Sequence, residues 1–141
     1  MLRVLFFFLI AYSLIGCVRG FQPPPPEHET WRKQGANSLE VKKVLLECGW
    51  YSPRGINPYE STNQEIAQWD RCMKNSGFVN SSYFCEGLHN LPPSCQPDAI
   101  IPTRSVERRL NSAYCKGYGK NTPECLPPGQ EHIPQQQTQP Q

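Results

Sequence analysis

Six cysteines, Cys48, Cys72, Cys85, Cys95, Cys115 and Cys125, constrain this chain more than any other feature, because the last four fall into two matched units. Cys85-Glu86-Gly87 and Cys115-Lys116-Gly117 each lead, through Pro93 or Pro123, to a second cysteine ten residues after the first. Asn80-Ser81-Ser82-Tyr83-Phe84 and Asn111-Ser112-Ala113-Tyr114 precede them with similar residues. Two local disulfide loops are expected, each led by an aromatic residue that can pack. Spacing alone selects no pairing among six cysteines. The repeat favours the sequential set: Cys48 to Cys72, Cys85 to Cys95, and Cys115 to Cys125. Loop-closure entropy gives about 3.5 kcal/mol for the first and about 2.8 kcal/mol for each of the others. Their sum is comparable to the whole stability of an ordinary domain, so this domain is expected to depend on its disulfides more than on its core.

Helical signals lie upstream. Asn37 or Ser38 can cap a helix, Asn37 with Glu40 resembles a capping box, and Gly49 is a C-terminal stop. Between them Val41, Val44, Leu45 and Cys48 form one apolar stripe. Trp50 to Tyr59, with Pro53, Gly55, Asn57 and Pro58, reads as a loop. Thr62 with Glu65 repeats the capping signal, Ile66, Trp69, Cys72 and Met73 form a second stripe, and Gly77 ends it. The two stripes make an αα-hairpin clipped by Cys48 and Cys72. Thr103 or Ser105 starts a third helix, with Val106, Leu110 and Ala113 or Tyr114 facing inward. The expected fold is mainly α: a small disulfide-stapled helical domain over 30–127, built as an αα-hairpin plus a loop-rich cysteine repeat. Its ends are expected to be disordered.

Residues 1–16 read as a signal peptide, with Arg3 as the positive region and Val4 to Leu14 as an apolar run too short to span a bilayer. Pro23 to Pro26 in a row favour a polyproline II tether within 17–29, and 128–141 is a Gln/Pro-rich tail. The chain holds 14 basic and 12 acidic residues; removing Arg3 leaves 13 against 12. That balance gives no reason to expect nucleic acid. One local excess stands out, Arg104, Arg108, Arg109, Lys116 and Lys120 against Glu107 alone. It is read as a solvated helix face, or as a contact surface for an acidic partner or an anionic head group.

No chemistry-bearing constellation emerges. Zinc ligands usually come in close Cys-x2-Cys pairs, whereas these cysteines have 9 to 23 residues between neighbours. His28, His89 and His132 sit in loops or tails without a partner histidine. A thiol nucleophile needs a free cysteine beside a base, and pairing leaves none among the six. Glu65 reads as a cap, Glu60 and Asp70 as exposed helix-end charges, and Gly117-Tyr118-Gly119-Lys120 lacks the strand and the hydroxyl residue of a phosphate loop. Neither a catalytic residue, a metal nor a cofactor is expected. Among the aromatics, Trp69 belongs to a core stripe. Trp50, Tyr51 and Tyr59 lie on the hairpin loop, where they either form a contact surface or cover a small core from outside.

Two patterns resemble a known group. Leu14-Ile15-Gly16-Cys17 resembles the lipobox of bacterial lipoproteins, which implies cleavage after Gly16 and lipid attachment at Cys17. Trp31-Arg32-Lys33-Gln34-Gly35, Cys48-Gly49, Cys72-Met73 and Gly77-Phe78 resemble the pattern of small Gram-negative lipoproteins, covering about the first half of the chain. The resemblance implies a lipid-anchored protein of the cell envelope with a membrane anchor and a protein partner there, acting through binding or structure. Val18 after the cysteine, in place of aspartate, implies the outer membrane over the inner one. The alternative is a soluble secreted cysteine-rich ligand or toxin-like protein cut after Gly20, with a glycosylation sequon at Asn80-Ser81-Ser82 if the source is eukaryotic. Cysteine parity does not choose between them, since either cleavage leaves six.

Overall fold

A computed structural model describes residues 23–57, 59–81, 84–86 and 91–131. The signal segment, Cys17, Tyr83, His89, His132 and most of the Gln/Pro tail lie outside the described residues. The protein is mostly helical with few strands. In chain order its elements are helix α1 (Glu27–Thr30), strand β1 (Trp31–Arg32), helix α2 (Ser38–Cys48), helix α3 (Asn63–Asn75), strand β2 (Val79–Asn80), a 3-10 turn (Pro93–Cys95), helices α4 (Val106–Asn111) and α5 (Ala113–Lys116), and a second 3-10 turn (Pro123–Cys125). The strands pair antiparallel, Trp31 with Asn80 and Arg32 with Val79.

Capping residues set the helix ends. The Asn37 side chain accepts from Glu40 N at 2.9 Å and starts α2 at Ser38. Gly49 stops it at φ 109°, its N–H reaching the carbonyls of Leu45 and Leu46. At α3 the Thr62 hydroxyl accepts from Glu65 N while the Glu65 carboxylate accepts from Thr62 N at 2.9 Å, a complete capping box.

The anticipated α2 stripe is the core: Val41, Val44, Leu45 and Cys48 are buried with Trp31, Trp50, Cys72, Met73 and Phe78. Leu46 and Glu47 are buried too. The second face of α2 is covered by the last cysteine loop, where Leu46 packs with Cys115 and Cys125, and with Tyr114 half-buried against them. So α2 lies between two layers and not at the edge of one hairpin.

Disulfides join the sequential pairs, with Cα separations of 5.6 Å for Cys48–Cys72, 5.6 Å for Cys85–Cys95 and 5.2 Å for Cys115–Cys125. The second halves of the matched sequence units, where both are described, have matched structures. In each, a proline opens a 3-10 turn ending on the second cysteine, with Cys95 N donating to Pro92 O at 2.8 Å and Cys125 N to Thr122 O at 2.9 Å.

Two expectations need correction. Asp70 is not an exposed helix-end charge but 3% exposed. The inward face of α3 turns from Ile66 toward Ala67 and Asp70, because the first 3-10 turn and Phe84 cover that flank: Ser94 Oγ donates to Gln64 O at 3.0 Å and Phe84 N to Asp70 Oδ2 at 2.8 Å. Helix α4 points inward with Arg109, while Val106 is exposed. Contacts with the domain are also made by residues on either side of 30–127. Glu27 and His28 are held to the loop after α2, and Glu131 pairs with Lys43 on α2 at 2.6 Å.

Candidate contact surface

The loop after α2 is fixed at several points. Ser52 Oγ donates to Gly55 O at 3.2 Å and Tyr59 N to Asn57 Oδ1 at 3.1 Å. Pro53 is fully buried. The entering chain is fastened here: Glu27 N donates to Arg54 O and His28 N to Pro53 O, both at 3.0 Å, and His28 Nδ1 donates to the same Pro53 carbonyl at 2.9 Å. Of the three aromatics expected on this loop, Tyr51 and Tyr59 are exposed, at 41% and 95%, and Ile56 joins them at 37%.

Trp50 does not belong to that surface. It is buried at 5% and its ring lies 5.9 Å from that of Trp69, tilted by 45°. The alternative reading, an aromatic that covers a small core, fits Trp50, which is buried with the main core.

The arginines of the basic run are not a free surface either, while Lys116 and Lys120 are exposed. Glu47, 4% exposed, gathers the arginines from inside. Arg104 Nε and Nη2 both reach Glu47 Oε2 at 2.8 Å, and Arg109 Nε lies 3.2 Å from Oε1. Arg108 Nη1 donates to the Glu47 carbonyl and, at 2.9 Å, to Thr103 O. Arg109, 1% exposed, also donates through Nη1 to Glu124 O and to Leu126 O. It is therefore a structural ion-pair residue and not a contact residue. Glu47 is thus an acidic partner within the chain for Arg104 and Arg109, and Arg109 Nε meets it as an ion pair without hydrogen-bond geometry. Arg104 and Arg108 keep partial exposure.

Sequence reasoning missed Glu47. The signal available was a single carboxylate inside the apolar run Val44-Leu45-Leu46-Glu47-Cys48, together with a basic segment short of its own acids. It missed Asp70 as well. Burial is the main cause that raises the Asp70 pKa from the usual 3.8 to about 6, against the hydrogen bond from Phe84 N.

A groove of about 830 Å³ runs beside β1, with Trp31, Arg32, Asn37, Val41 and Val79 among its walls. Among the described residues no group of three His, Cys, Asp or Glu side chains is placed to hold a metal ion, and no helix is long and apolar enough to cross a membrane. Asn80, the sequon residue, donates through Nδ2 to Thr30 Oγ1 at 3.0 Å and sits in β2. The amide nitrogen that would carry a glycan is thus committed to the fold.

The chain matches no protein-family model, no curated protein and no solved structure. Its function therefore has to be argued from its own residues.

Proposed function

We propose that this protein is lipid-anchored at Cys17 in the Gram-negative cell envelope, with the outer membrane favoured, and acts by binding or structure without catalysis. The observation that carries the reading is Leu14-Ile15-Gly16-Cys17 followed by a domain whose six other cysteines are all paired. Three disulfides suit an oxidising compartment, and acyl chains on a first-residue cysteine would hold the domain at a bilayer effectively permanently. The exposed part of the expected contact surface, Tyr51 and Tyr59 with Arg104 and Arg108 partly accessible, offers a partner large aromatic and basic groups and no reactive cluster.

Intact mass spectrometry of the mature protein, with and without reduction, tests this. The expected result is a chain beginning at Cys17 with added acyl mass and a gain of six hydrogen atoms on reduction of the three disulfides. A mature chain that begins at Phe21 without acyl mass replaces this reading with the secreted one. Glycan on Asn80 would likewise favour the secreted reading.

A further inference from the structure

The proline run delivers the chain to one side of the domain. Glu27 and His28 are hydrogen-bonded to the backbone of Arg54 and Pro53, so the point where the tether meets the domain is the loop after α2. That same loop turns Tyr51, Ile56 and Tyr59 outward while its backbone is held by Ser52, Asn57 and the buried Pro53. The loop thus offers three large apolar side chains to solvent, Tyr59 almost completely and Tyr51 and Ile56 by a little over a third.

We propose that this loop is a lipid-contact surface, with Tyr51, Ile56 and Tyr59 seated at the head-group level of the bilayer that carries the anchored chain, so that the domain is held in one orientation. The inference rests on the lipid-anchored reading above. The ten residues from Cys17 to Glu27 span about 31 Å if extended as polyproline II, about the breadth of a domain of this size. The loop side, where the tether is fastened, is therefore the side that reaches the bilayer with the least extension of the tether. Tyrosine suits that depth, with an apolar ring and a hydroxyl that stays wet, and Ile56 adds apolar area. Charge is not the driving force, because exposed Arg54 is offset by exposed Glu29 and Glu60; zwitterionic lipid is enough. Little intrinsic affinity is required, since the anchor makes the contact intramolecular.

A control position lies at the other end of α3. Ile100 is 93% exposed, and its neighbour Ile101 shares a small cleft with Cys72, Asn75 and Ser76 at the C-terminal end of α3, whereas Tyr59 precedes the cap Thr62. The helix between them has 13 residues and so spans about 20 Å.

The test uses the full acylated chain carrying Tyr59→Trp or Ile100→Trp, reconstituted in phosphatidylcholine vesicles with lipids brominated near the head-group end of the acyl chain. Both changes are at exposed positions and leave the core intact, and the wild-type chain supplies the background of Trp31, Trp50 and Trp69. Brominated lipid is expected to quench most of the added emission of the Tyr59→Trp variant and little of that of Ile100→Trp. No quenching of the Tyr59→Trp variant, or equal quenching of both, overturns the loop contact while the anchored reading stands. A mass spectrum of the same sample without acyl mass overturns the anchored reading and the loop contact with it.

Discussion

Arg71 and Arg109 occupy equivalent places in the two Cys-x9-Cys units. Each reaches from a helix and donates through Nη1 to the two carbonyls that flank the second cysteine of its unit. Arg71 binds Ser94 O at 2.7 Å and Gln96 O; Arg109 binds Glu124 O and, at 2.9 Å, Leu126 O. The internal repeat is thus more than two matched disulfides. It includes an arginine that seats each 3-10 turn on the helical layer, at 1% exposure in the second unit and half-buried in the first.

The two arginines are expected to differ in weight. Arg109→Ala strips one of the two guanidinium groups from buried Glu47 and is expected to cost about 3 kcal/mol. Arg71→Ala removes hydrogen bonds at a half-buried site and is expected to cost about 1 to 2 kcal/mol. Urea unfolding of both variants measures this, and disulfide mapping of the refolded proteins adds a second readout. More mispaired Cys115 or Cys125 is expected in Arg109→Ala, and more mispaired Cys85 or Cys95 in Arg71→Ala. Equal stability loss with unaltered pairing in both would refute the clamp.

Asp70 links stability to pH in an unusual direction for a carboxylate. Its folded pKa is raised to about 6 from 3.8, first by burial and further by the Glu27 charge, against the Phe84 N–H bond and Lys74. Between those values the folded state holds the proton and the unfolded state does not. Its contribution is therefore fully present below pH 3.8 and is lost as pH rises through 6, by about 3 kcal/mol at most. Glu65 and Glu131 are lowered from 4.5, the first by Thr62 hydrogen bonds and the second by Lys43, and act the other way only below 4.5. Denaturant unfolding from pH 4.5 to 6.5 should show wild-type stability falling relative to Asp70→Asn, which keeps an acceptor for Phe84 N. A constant difference across that window would place the proton elsewhere.

What the sequence made legible was the part ruled by short-range rules. Both α2 and α3 begin where Asn37 and Thr62 cap them, and the disulfides follow the repeat. The residues behind the lipoprotein resemblance are explained by packing: Trp31, Cys48, Cys72, Met73 and Phe78 all lie in one core, and Gly35, Gly49 and Gly77 have positive φ. Those residues of the pattern therefore serve packing and helix ends. Glu47, Asp70 and Arg109 were misjudged for a common reason. Periodicity treats one helix at a time, whereas a buried charge is decided by a partner far along the chain. Arg109 is 62 residues from Glu47 by numbering, and no window over either helix contains both. Trp50 fails similarly: its loop reads as exposed until Trp69 from the next helix packs beside it.

Reduction is expected to proceed in a fixed order. Cys85 and Cys95 are half-buried, whereas Cys48 and Cys72 are each 2% exposed and Cys115 and Cys125 are 5% and 7% exposed. Thiolate attack needs access to sulfur, so Cys85–Cys95 should open first. Because it lies outside both core clusters, the helical circular dichroism should barely change at that stage. Opening Cys48–Cys72, in the middle of the main core, should collapse the signal. Timed alkylation with mass mapping follows the order, and prior loss of either buried bridge would contradict it.

Gly49 and Gly77 both end helices with positive φ, yet they should not tolerate alanine equally. Gly77 has φ 84°, and an added Cβ would meet only the flexible Lys33 side chain, at 3.5 Å. Gly49 has φ 109°, and there a Cβ would come within 2.7 Å of Trp69 Nε1, a ring itself packed against Trp50. Gly77→Ala meets only backbone strain, about 1 kcal/mol. Gly49→Ala meets that strain and must also shift the half-buried Trp69 ring that packs against the core, so about 3 kcal/mol is expected. Truncating Trp69 should remove the clash but not the strain. Gly49→Ala introduced into a Trp69→Ala background should therefore cost about as little as Gly77→Ala does in the wild type. Chemical unfolding of the four variants closes this cycle, and the same large cost for Gly49→Ala in both backgrounds would mean that backbone conformation alone, and not the Trp69 contact, makes this position glycine.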